Sequence, residues 1–159
     1  MATTYRTWRP AESRLLAEWL ATRWSDRRTI TRVRVGKVHP SLVQPDMSEA
    51  EIAAAGVWRR WVDAVIIDPP TIRLVEASIA PNPGKVSQLE LYVRLWPLTP
   101  EYSEYRDWPV VGLLVSAVED GMVRTLAVER GLMYEVYTPP WVHEYLQSRM
   151  PRHRRAVLG

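Results

Sequence analysis

Cysteine is absent from the 159 residues, which excludes disulfides, thiolate metal sites and a cysteine nucleophile and allows a reducing compartment. Phenylalanine is absent too, against eight tryptophans. No run approaches the ~20 apolar residues of a membrane span. The start, "MATTYRTWRPAESRLLAEW", has no apolar stretch of the signal-peptide kind. The expectation is a soluble protein of the cytoplasm with no membrane partner. Among 21 basic residues only Lys37 and Lys85 are lysines. Arginine's planar fork suits phosphate and carboxylate, although a GC-rich genome would favour arginine codons for any function. No G-x-S-x-G, P-loop or G-x-G-x-x-G is present, which disfavours hydrolase, nucleoside-triphosphatase and dinucleotide readings. His39, His143 and His153 are scattered without the spacing of a zinc site.

What is present fits one domain over residues 1–150 with a basic tail, "PRHRRAVLG", over 151–159. A chain of this length buries roughly two-thirds of its unfolded surface. The net charge of +3 permits a polyanion partner without requiring one. The tail, with Arg27, Arg28, Arg32 and Arg34, could form a basic rim for phosphates. Tryptophans 58, 61, 96, 108 and 141 read mostly as core or sheet-covering residues, and an exposed cluster would point to a protein interface.

Leu16, Leu20 and Trp24 recur with helical period after Pro10, predicting a helix with proline in its first turn. "RTITRVRVG" alternates Ile30, Arg32 and Arg34 against Thr31, Val33 and Val35 and closes on Gly36, a strand signature. Ser48 and Glu51 form a capping-box pattern for a short helix stopping at Gly56. "WVDAVIID" and "TIRLVEASI" read as strands joined by "DPPT", and "KVSQLELYVRLW" as a helix ended by Pro97. After a loop, "VVGLLVSAV" predicts a strand, "EDG" a turn, "MVRTLAV" a return strand and "MYEVYT" another strand. "PPWVHEYLQSRM" closes the domain as a helix. The fold class is α/β, a mixed central sheet flanked by helices.

In a hairpin symmetric about Pro69 and Pro70, opposed residues have numbers summing to 139, so Asp63 faces Glu76. Like charges placed so, with Cβ atoms ~4.5–5.5 Å apart, are destabilising. A protonated acid, an intervening arginine or a divalent cation would offset the repulsion. Two prolines cannot form a two-residue type I′ turn, because proline fixes φ near −65°, so a wider loop and a slipped register are the alternative.

The order helix, three strands, helix, strand, with "VDAVIID", "LVEAS" and "QLELYVRL" over roughly residues 10–117, resembles the PD-(D/E)XK, or restriction-endonuclease-like, nuclease superfamily. The resemblance implies an αβββαβ core and a Mg²⁺ site at Asp63 and Glu76, with Glu12 standing where a helix-one acid can join. It also assigns Gln88 and Tyr92 to the helix pair of that site. Ser78 stands where the family's E-x-K motif has its lysine, which orients or activates the attacking water. Lys85, just before the following helix, could lean back over the sheet as its substitute.

Since a serine supplies neither charge nor reach, the sequence favours a degenerate, non-catalytic nuclease-fold protein. Its expected role is binding or assembly in a DNA-handling system of phage or mobile-element kind, within the cytoplasm or a virion. The alternatives are an active Mg²⁺-dependent DNA nuclease using Asp63 and Glu76, and a structural virion or scaffold subunit without nucleic-acid binding. Partners on these readings are DNA, other proteins or further copies of the chain.

Overall fold

A computed structural model describes residues 3–38, 40–55 and 59–149; the basic tail, His39, His153, Trp58 and the helix stop at Gly56 lie outside them. The elements are α1 (Thr3–Arg23), β1 (Arg28–Val35), α2 (Glu49–Ala55), β2 (Arg60–Asp68), β3 (Thr71–Ser78), α3 (Pro83–Leu95), β4 (Val110–Ser116), α4 (Gly121–Glu129), β5 (Met133–Val136) and α5 (Trp141–Arg149). The strands form one sheet in the order β1-β2-β3-β4-β5. The first three run antiparallel, while β3–β4 and β4–β5 are parallel. Parallel neighbours need crossovers, and α3 and α4 supply them.

Helices cover both faces. On one, Val86, Leu89 and Tyr92 of α3 and Val123 and Ala127 of α4 bury against Val65, Ile67, Ile72 and Leu74. On the other, Leu16, Trp19 and Leu20 of α1 bury against Ala64, Ile66, Val75 and Ala77. Both faces of β2 and β3 are therefore dry, which is why their sequences run apolar without a polar face. Among the described residues no helix is long and apolar enough to cross a membrane.

Two expected features are realised in detail. Ser48 and Glu51 exchange the reciprocal capping-box bonds, with Ser48 N–H donating to Glu51 Oε2 at 2.7 Å and Glu51 N–H to Ser48 Oγ at 3.3 Å. The hairpin register also sums to 139, from Asp68–Thr71 to Ala64–Val75. The wider loop that the two prolines were expected to force is not formed, since Pro69 and Pro70 make the two-residue connection with a cis bond between them.

Three expectations are corrected. "MVRTLAV" is helix α4, not a return strand, because Asp120 caps it, its Oδ1 accepting from the N–H groups of Met122 and Val123 at 3.1 Å. The i, i+4 pair Val123 and Ala127 then faces the core, so helical period overrides the β-branched composition. Helix α1 begins at Thr3 with Pro10 in its interior; proline removes one backbone donor, and the turns before it wind on regardless. Alternation in β1 does not run through. Ile30 packs with Val33 and Val35, as in β2 Val62 packs with Val65 and Ile67, and residues three apart share a sheet face only where alternation resets. The reset lies at Arg32 and Asp63.

Candidate functional site

Arg32 adopts φ 53°, the one non-glycine residue with positive φ among the described residues. That conformation costs about 1–2 kcal/mol for a side chain with a Cβ, and such strain collects at functional sites. The β1–β2 ladder pairs Thr31 with Ala64 and Val33 with Val62 but omits Arg32 and Asp63 between them. Asp63, without a ladder partner in β1, turns its backbone N–H to Glu76 Oε1 at 3.1 Å. In return Ala77 N–H donates to Asp63 Oδ2 at 3.0 Å. Each carboxylate thus plugs into the backbone of the other strand, where the sheet has opened.

Glu76 is 2% exposed. Burial, and next the charge of Asp63, push its carboxyl up to about 8, against the pull of Lys85 and the Asp63 N–H. Lys85 reaches back from the first turn of α3 and sets Nζ 3.3 Å from Glu76 Oε2. Asn82 makes this reach: its Oδ1 accepts from Lys85 N–H at 3.2 Å as the helix cap, with Pro83 beginning the helix. The repulsion between the two acids is therefore offset by two backbone donors and a lysine, and the raised Glu76 carboxyl favours the protonated acid among the remedies weighed from sequence.

One helical turn on, Gln88 Nε2 donates to the Tyr92 hydroxyl at 2.6 Å. Tyr92 is buried; burial first, then the charge of Glu76, push its phenol up to about 12, so it remains a neutral donor at neutral pH. Lys85, Gln88 and Tyr92 thus share the face of α3 turned toward Glu76.

On the α1 side, a cavity of about 600 Å³ is lined by Glu12, Ser13, Thr31, Arg32 and Asp63 among others. Glu12 is raised by burial, while Lys85 and hydrogen bonding at the Ile79 N–H and the Ser78 hydroxyl draw it down. Ser78 Oγ lies 3.0 Å from the Ala80 carbonyl as a donor, so its single proton is committed there or to Glu12.

All seven residues picked out from sequence thus gather where β2 and β3 part: Asp63, Glu76 and Ser78 on the strands, Lys85, Gln88 and Tyr92 on α3, Glu12 on α1. No family model, curated protein or solved structure matches the chain.

Among the described residues no three Asp, Glu or His gather closely enough to hold an ion. Asp63 and Glu76 stand as a pair, and Glu12 joins them through the cavity rather than as a third close ligand. From sequence Arg32 reads as a strand position and part of a basic rim, and its part in opening the sheet is not among those readings. Nothing in "TITRVRV" signals it, because a single left-handed residue leaves no mark on the alternation read from sequence. Trp61, which reads from sequence as core or sheet-covering, is 42% exposed, with Arg34 4.6 Å and Arg32 5.5 Å from its ring centroid. His143 is exposed and pairs with Gln147.

Proposed function

We propose that the protein is a Mg²⁺-dependent DNA phosphodiesterase with a restriction-endonuclease-like core, in which Lys85 on α3 replaces the strand lysine lost at Ser78. The observation carrying this reading is the 3.3 Å contact of Lys85 Nζ with Glu76 Oε2. It returns a cation to the acid pair from a different element. The element order adds support: helix, three antiparallel strands, helix, and a fourth strand parallel to the third is the αβββαβ order, with the short α2 inserted after β1.

The donor set fits a hard cation, since Mg²⁺ takes one or two carboxylates and keeps several waters. Asp63 and Glu76 would hold it, and it would supply positive charge to a phosphoryl oxygen and lower the pKa of water. The chain's own residues do the rest. Lys85 lets a phosphate approach two carboxylates by placing positive charge beside Glu76. The backbone bonds from Asp63 and Ala77 hold both carboxylates in place before substrate arrives. Tyr92, fixed by Gln88, floors the site with a neutral hydroxyl.

A second reading, binding or assembly on DNA without hydrolysis, draws on Glu76 itself. With its carboxyl up at about 8 and no third acid at hand, it is protonated at neutral pH unless a cation takes the proton's place. One assay separates the two. Cleavage of single-stranded DNA or nicking of supercoiled plasmid in Mg²⁺ or Mn²⁺, lost in Asp63→Asn and reduced about 10²- to 10⁴-fold in Lys85→Met, supports the phosphodiesterase. Salt-dependent DNA binding without cleavage in either metal rejects it for the second reading.

A further inference from the structure

We infer that the substrate is single-stranded DNA and that Trp61 is the platform on which one unpaired base stacks; this rests on the phosphodiesterase reading. Trp61 differs from the tryptophans of the core. Trp19 and Trp96 are buried to within 1%, whereas the Trp61 ring is 42% exposed and two guanidinium groups converge on it. Arg34 lies directly opposite it in the β1–β2 ladder, and Arg32 approaches from the strained turn of backbone. A base has two π-faces, and in a duplex both are covered by its neighbours; only an unpaired base can lie flat on a protein ring. A base that displaces one guanidinium from the ring leaves that cation for the adjoining phosphate, so ring and arginines serve one nucleotide together.

Position links this platform to the acid pair. Trp61 precedes Asp63 by two residues, about 7 Å along the strand, and Arg32 lines the cavity that Glu12 and Asp63 share. A strand anchored by one base on Trp61 therefore carries its backbone along the arginines toward Asp63 and Glu76. A duplex would have to give up pairing at that step.

The test is fluorescence anisotropy with a short labelled oligonucleotide, single-stranded and as its duplex, in EDTA so that hydrolysis plays no part. The single strand is expected to bind more tightly. Trp61→Ala should weaken it about 5- to 150-fold while changing duplex affinity little, and Trp61→Phe should restore most of the loss. Equal or tighter binding of the duplex, no binding of either form, or unchanged single-strand affinity in Trp61→Ala overturns the inference. Metal-dependent cleavage together with a silent Trp61→Ala rejects the platform and leaves the phosphodiesterase standing. Trp61-dependent single-strand binding without cleavage in any metal does the reverse.

Discussion

At the turn end of the β2–β3 hairpin, Asp68 accepts from Arg27 at 2.8 Å and from Arg73 at 3.1 Å, close to solvent. At the open end, Asp63 and Glu76 accept from each other's strands over a dry interior. The hydrogen bond from Arg27, ahead of that from Arg73, holds Asp68 below the usual carboxylate range, whereas burial lifts Glu76 to about 8. One hairpin thus carries a carboxylate satisfied by two guanidinium groups near solvent and another whose burial outweighs the lysine and backbone donor that meet it. A carboxylate held low by its neighbours is ordinary surface pairing, and a buried one pushed up beside a second acid marks a candidate ligand site.

The largest expected effect breaks this comparison outright. Glu76→Gln or Asp63→Asn should reduce metal-dependent DNA cleavage to background, while Asp68→Asn keeps the wild-type rate. Equal losses in all three would mean that the variants act through stability alone.

Cation binding comes next. At pH 8, Mn²⁺ at about 100 times its Kd should raise the Tm of the wild type and of Asp68→Asn by about 5–10 °C. Glu76→Gln should show no rise. A rise unaffected by that substitution would place the ion elsewhere.

Without metal the two acids should give opposite pH slopes. The folded pKa of Glu76 is raised, so the native state keeps a proton that the unfolded chain releases above about 4.5. Its contribution is fully present below that pH and is lost as pH rises through about 8. Asp68 is lowered, so its contribution is present above the ordinary aspartate range and is lost as pH falls through its folded value. Urea midpoints in EDTA should therefore fall from pH 5 to pH 8 in the wild type and flatten in Glu76→Gln. Asp68→Asn should flatten only the acid limb. The smallest effect is expected from Arg73→Met at neutral pH, since Asp68 keeps its 2.8 Å bond from Arg27 and ion pairs close to solvent contribute ~0–1 kcal/mol; Tm should fall by no more than about 4 °C.

Much of the site was legible in the sequence, since a hairpin register depends only on where its turn lies. The sum of 139 held from Asp68–Thr71 to Ala64–Val75 and pointed to the Asp63–Glu76 pair. The capping box at Ser48 was legible for the same reason: both partners lie within one turn of chain. Helix α4 was not, because Val123, Thr125 and Val128 have strand propensity, and only the cap at Asp120 and the need to cross between parallel strands decide otherwise. The lean of Lys85 over the sheet was offered by its place before α3, but its distance from Glu76 depends on how α3 lies on the sheet.

The sequence by itself determined the residue types at the acid pair, their register and the serine two residues after Glu76. These follow from local spacing, which survives any packing. Only the tertiary structure decided that Arg32 and Asp63 leave the ladder, that Lys85 meets Glu76, and that Trp61 stays in the open. Those outcomes depend on which surfaces meet across the sheet, and long-range burial, not local period, sets them.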